Sequence, residues 1–231
     1  MKTVGIVGGL GPESTIDYYR LIIDYYRKAV ADGSYPPIII NSIDVNKALR
    51  LVQEKDLAQL THYLVAAIEK LARAGADFGL LSANTAHIVF NDVRRLSPLP
   101  LISIVEATCD EAKRRGLKSV GLLGTQFTMR ARFYPEVFEK HGIRVVPPGE
   151  EEQAYIHDKY VNELLRGVFL PSTRVRLREI IAIQAQRDSI EGVILGGTEL
   201  PLILEDETVA GIPLVNTTQI HVRAAVSEIV S

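Results

Sequence analysis

Leu80-Leu-Ser-Ala-Asn-Thr-Ala-His-Ile-Val-Phe90 is the stretch on which the reading of this chain turns. With Phe78 and Gly79 it begins as an apolar run, passes through small and polar residues, and becomes apolar again. A buried parallel strand reads this way where it ends and a helix begins. The turn from Ser82 to Thr85 then sits at the carboxyl end of a strand, the edge that borders ligand sites in open α/β sheets.

The rest of the chain repeats that unit. Thr3 to Val7 reads as a strand that ends in Gly8-Gly9-Leu-Gly11-Pro12, followed by a helix from about Glu13 to Ala31 that Asp32-Gly33 stops. Pro36-Pro37 precedes a strand from Ile38 to Ile43, and Lys47 to Glu54 reads as loop or short helix. Leu57 to Ala74 carries apolar residues at helical spacing and ends at Gly75. Pro100-Leu-Ile-Ser-Ile104 is a further strand. Strand alternating with helix predicts an α/β fold with parallel sheets and right-handed crossovers.

The pattern then restarts. Val4-Gly-Ile-Val-Gly8 matches Val120-Gly-Leu-Leu-Gly124 at an offset of 116, which also carries Tyr18 onto Tyr134. Leu80-Leu-Ser-Ala-Asn-Thr85 matches Ile194-Leu-Gly-Gly-Thr-Glu199 at 114, and Pro100-Leu-Ile matches Pro213-Leu-Val at 113. Three landmarks in one order at nearly constant spacing predict an internal duplication. The expectation is two pseudo-symmetric domains, each a small parallel sheet flanked by helices. The expected divisions are 1–99 plus 217–231 for the first domain and 100–216 for the second. Equivalent turns, after Gly8, Leu81, Gly124 and Leu195, are expected to line one cleft, with Ala83 facing Gly197.

Bulk properties narrow the function. A formal charge of −2 gives no reason to expect nucleic acid or an anionic membrane surface as partner. No apolar run approaches the roughly 20 residues that a membrane helix needs, and Met-Lys-Thr-Val-Gly enters a strand at once, which argues against a signal peptide. A single cysteine excludes an internal disulfide and suits the cytoplasm. No Cys/His cluster has zinc-site spacing, so no metal is expected.

Candidate site residues follow from the turns. Asn84, Thr85, Thr125, Thr128, Thr198 and Glu199 lie in or just after them. Such residues cap helices, and the helix starts they cap attract carboxylates. His87 has a side chain suited to proton transfer, as does His157, which shares Tyr155-Ile-His-Asp-Lys-Tyr160 with Lys159. Lys47 and Arg50 could close over a substrate carboxylate, although a solvated basic face is the commoner role. Gly8-Gly9-Leu-Gly11 is a poor dinucleotide fingerprint. Counted from Gly9, Ser14 takes the third glycine's place, and the candidate ribose acid Asp44 lies 35 residues on, against roughly 20. A nucleotide-dependent oxidoreductase is therefore the weaker reading, and a tight turn admitting a small ligand to backbone N–H groups the stronger. Cys109, on an apparent helix away from the turns, reads as packing.

These blocks resemble the aspartate/glutamate racemase family, enzymes that need no pyridoxal phosphate or other cofactor. The resemblance spans the chain: the Gly8-Gly-Leu-Gly-Pro12 start, Asn84-Thr-Ala-His87, Leu123-Gly-Thr125 and Leu195-Gly-Gly-Thr-Glu199. It implies a two-domain fold whose C-terminal helix returns to the first domain, a homodimer, and a small amino acid or dicarboxylic acid as ligand. In the family the second and last blocks read Cys-Asn-Thr-x-His and Gly-Cys-Thr-Glu. One thiol takes the α-proton from one face while the other delivers a proton to the opposite face. Here Ala83 and Gly197 stand at those two positions, and neither can carry a proton. The resemblance thus implies a racemase-like protein with altered proton transfer at Cα, its candidates being Glu199, His87, His157 and Lys159. The alternative is a catalytically silent carboxylate-binding descendant.

Overall fold

The computed structural model describes residues 1–231, which divide into two compact units, Met1–Ala107 with Thr218–Ser231, and Thr108–Thr217.

The first unit starts with β1 (Val4–Gly8), α1 (Pro12–Ala29), β2 (Ile38–Ser42), α2 (Val45–Gln53) and α3 (Leu57–Arg73). It continues through β3 (Phe78–Leu81), a 3-10 turn (Thr85–Val89), α4 (Phe90–Leu96), β4 (Leu101–Ile102) and the start of α5 (Ile104–Arg114). The strands form a parallel sheet in the order β2-β1-β3-β4. Lys47 to Glu54, which the sequence predicts as loop or short helix, falls almost wholly in α2. Asp44 caps it by accepting from the Asn46 N–H (2.9 Å), and Ala48, Leu51 and Val52 form its buried stripe. Pro12 opens α1, where its missing N–H costs nothing.

The second unit holds β5 (Ser119–Gly124), α6 (Gln126–Arg130), α7 (Phe133–Phe138), β6 (Arg144–Val146) and α8 (Glu150–Asn162). Then come α9 (Pro171–Asp188), β7 (Gly192–Gly196), α10 (Leu200–Ile203), β8 (Thr208–Val209) and β9 (Ile212–Asn216). The order is β6-β5-β7-β9-β8, parallel except for the β8–β9 hairpin pairing. The final helix, α11 (Thr217–Val230), packs Val222, Ala225, Val226 and Ile229 with Val4, Ile6, Tyr18, Ile22, Phe78 and Leu80 in the core of the first unit.

The duplication extends to strand register. Val4 is opposite Phe78, and Val120 is opposite Gly192; Gly79 is opposite Leu101, and Val193 is opposite Leu214. These pairs are related by the offsets of 116, 114 and 113 that the sequence repeats. A one-residue slip would turn every side chain of a strand to the other face, so matched register means matched cores. The unit boundary falls later than residue 99 because β4 pairs with β3 and thereby belongs to the first sheet. That strand is also shorter than the expected 100–104, since α5 begins at Ile104.

Candidate active site

In the first unit the turn after β1 is folded largely onto itself. The Gly9 N–H donates to Thr15 Oγ1 (2.9 Å), and the Thr15 hydroxyl donates to the Gly11 carbonyl (2.9 Å). Gly9 has φ +74, and a β-carbon there would lie 2.2 Å from the Ile43 carbonyl oxygen. One at Gly8 would lie 2.6 Å from Thr15 Cγ2. The glycines therefore serve close backbone packing, and the Gly9 N–H is already engaged by Thr15.

Ser82 ties the turn after β3 to this one, its hydroxyl donating to the Val7 carbonyl (3.1 Å). Ala83 and Asn84 are buried, and Thr85 opens the 3-10 turn. His87 is buried with both ring nitrogens held by backbone. Nδ1–H donates to the Ala83 carbonyl (2.8 Å), and Nε2 accepts from the Ile104 N–H (3.2 Å). Burial lowers its pKa to about 3. His221 on α11 is similar: Nε2–H donates to the Ile102 carbonyl (3.0 Å), the Tyr18 hydroxyl lies 2.8 Å from Nδ1, and burial lowers the pKa to about 4. Both rings are neutral, and each tautomer is fixed by the carbonyl it bonds.

In the second unit Thr125 caps α6, its hydroxyl accepting from the Thr128 N–H (3.2 Å), and Thr125 and Thr128 hydroxyls lie 3.2 Å apart. His157 Nδ1 accepts from the Gln126 N–H (3.2 Å), and burial lowers its pKa. Lys159 instead pairs with Glu163 (2.7 Å). Lys47 lies 4.4 Å over the Tyr63 ring, and Arg50 is an exposed residue of α2. Cys109 is buried, its thiol pushed up to about 11 by burial, which suits packing.

The turn after β7 holds a feature that sequence reasoning missed. Gly197, Thr198 and Glu199 are all buried. A β-carbon built on Gly197 would lie 2.3 Å from Tyr160 Cε2, 2.8 Å from Cζ and 2.9 Å from the hydroxyl oxygen. Tyr160, on α8, therefore fills the space that any side chain at 197 would need. Its hydroxyl donates to Glu199 Oε2, to which the Thr198 hydroxyl also donates (2.9 Å). Burial, then the neighbouring Glu199 carboxylate, push the phenol well above its ordinary pKa, so it stays a neutral donor. The spacing from Tyr160 to Glu199 has no local periodicity to betray it; the only hint in the sequence was the glycine at 197 itself.

With this geometry in hand, the class of protein follows from comparison with known proteins. A family model described as Asp/Glu/hydantoin racemase matches residues 7–225. The chain belongs to that family. It is 27% identical over 231 residues to the broad specificity amino-acid racemase RacX of Bacillus subtilis (strain 168), covering 97% of this chain and 96% of the relative. Among solved structures it matches an aspartate racemase homologue from Pyrococcus horikoshii OT3, at 34% identity, TM-score 0.84 and full coverage of both chains. It also matches a provisionally assigned Asp/Glu racemase from Yersinia pestis, at 32% identity, TM-score 0.88 and full coverage of both. No helix is long and apolar enough to cross a membrane.

Proposed function

We propose that the chain binds a small amino acid or dicarboxylic acid through turns at the carboxyl ends of its strands, and moves the α-proton without thiols. Ala83 and Gly197 take the places of the two family cysteines, with Asn84, Thr85, Thr125, Thr128 and Thr198 as carboxylate-binding residues and Lys47 and Lys159 as further charge. Gly8 belongs to the reading as the residue that lets the first turn close on Thr15. The observation that carries it is the turn after β7, where a racemase-family chain sets a buried carboxyl, Glu199, and a phenol hydroxyl beside a residue with no side chain. Family membership and the RacX relative support an amino acid as ligand. Loss of each proton carrier is expected to cost about 10²–10⁴-fold in rate, so turnover by a thiol-free site should be slow. His87, held at both nitrogens, serves this reading as a support for the Ala83 turn.

A second reading is a catalytically silent binder, favoured by the same ring: packing Tyr160 into the space at 197 removes room for a carrier there. Solvent deuterium exchange at Cα, followed by proton NMR over D- and L-aspartate, D- and L-glutamate and other amino acids, separates the two. Saturation-transfer difference on the same samples reports binding. Binding with exchange supports the first reading, and binding without exchange the second. Absence of both across the panel refutes each.

A further inference from the structure

The geometry points to Tyr160 as the catalytic proton carrier of this site, with Glu199 as the base behind it, acting on one face of the amino acid only. This deepens the amino-acid reading and rests on it. Three observations converge. A β-carbon at 197 would lie 2.3 Å from Tyr160 Cε2, 2.8 Å from Cζ and 2.9 Å from the hydroxyl oxygen, so the edge of the ring that carries the proton-bearing hydroxyl stands directly against Gly197. That hydroxyl is bonded to Glu199, a buried carboxyl that also accepts from Thr198. The equivalent turn of the first unit has no counterpart: Ala83 has no ionisable group, and the one nearby, His87, has its Nδ1–H on the Ala83 carbonyl and its Nε2 on the Ile104 N–H.

The step balances without any co-reactant. The Cα–H bond breaks, its electron pair stays on carbon and delocalises into the substrate carboxyl, and the proton passes to the phenol oxygen. The phenol proton moves at the same time to the Glu199 carboxylate, so Tyr160 is neutral before and after and Glu199 ends protonated. A phenol whose anion is disfavoured by burial and by Glu199 is suited to such a relay and unsuited to acting as a free phenolate. Reversal returns a proton to the same face. When the proton held on the pair exchanges with solvent first, deuterium enters Cα and configuration is retained.

The test uses the whole chain in D2O with D- and L-aspartate and D- and L-glutamate as probes, following Cα exchange by NMR and configuration by chiral chromatography. The expected result is exchange with retained configuration. Tyr160→Phe should lower the rate by about 10² or more while saturation-transfer binding persists. Glu199→Gln should do the same and flatten the pH profile of any residual rate, which a merely structural role would not. Cys109, which should stay protected from thiol reagents in both variants, reports that the second unit is folded. Exchange at the wild-type rate in Tyr160→Phe overturns the inference and leaves the amino-acid reading standing, as does racemised product. Binding with no exchange in the wild-type chain overturns it too, in favour of the silent binder. No binding at all overturns the reading beneath it.

Discussion

Replacing Gly197 by cysteine would supply the thiol that the sequence resemblance implies for this position, and the structure says that the exchange should damage the protein. The backbone at 197 is outside the left-handed region, so a side chain there costs space and not backbone strain. The new β-carbon would sit 2.3 Å from Tyr160 Cε2, where carbon atoms normally rest about 3.5–4.0 Å apart. The ring edge must withdraw by more than an ångström, and it is held in a cluster with Leu123, Met129, Ile156, Leu164, Leu177 and Leu195. Overpacking of this kind costs about 1–3 kcal/mol. Should the ring swing away, Glu199 loses its phenol donor while buried, a further cost of about 1–3 kcal/mol. Gly197→Cys should therefore destabilise by about 2–6 kcal/mol, the sum of those two ranges. Urea unfolding, with stability taken from midpoint and slope, measures it. Removing the ring by Tyr160→Ala is itself expected to cost about 3–5 kcal/mol, but in that background Gly197→Cys should cost less than about 1 kcal/mol, because residues in contact do not add. If the cysteine is tolerated in the wild-type background, or costs the same with and without the ring, the steric argument is refuted.

Three further outcomes follow from the same structure. His87 and His221 are neutral when folded, with pKa values lowered to about 3 and about 4, against about 6.5 in an unfolded chain. Above pH 6.5 neither state binds these protons and stability is full; as pH falls below 6.5 the unfolded chain takes them up first, so stability is lost on acidification down to the folded values. Each histidine should remove about 2 kcal/mol between pH 7 and pH 5, seen in urea midpoints, and a flat profile would contradict their neutral setting. Cys109 should resist thiol reagents in the folded protein and react fully in urea; rapid native labelling would contradict its burial. Gly9→Ala should cost about 1–2 kcal/mol for left-handed backbone and about 1–3 kcal/mol for crowding against the Ile43 carbonyl, measured by the same unfolding curves. A loss below about 1 kcal/mol would mean the turn can open.

The sequence by itself determined the alternation of strand and helix and predicted the duplication. The first is written in local patterns, runs of β-branched and leucine residues and glycine turns, and the second in nearly constant offsets such as Val4 to Val120 and Leu80 to Ile194; that the two sheets also share strand register was decided by the structure. It also marked the turns after β3 and β7 as the places for chemistry, because strand ends and polar turn residues are local features. Tertiary structure alone decided what the turn residues do. Gly9 gives its N–H to Thr15, and His87 gives both nitrogens to backbone, commitments set by which chain segments pack nearby. Above all, the space at Gly197 belongs to Tyr160, a residue from a different helix, paired with a glutamate 39 positions further on. No periodicity links residues that meet only through the packing of α8 against the turn after β7, so the absence of a side chain at 197 is legible in sequence, and what occupies its place is not.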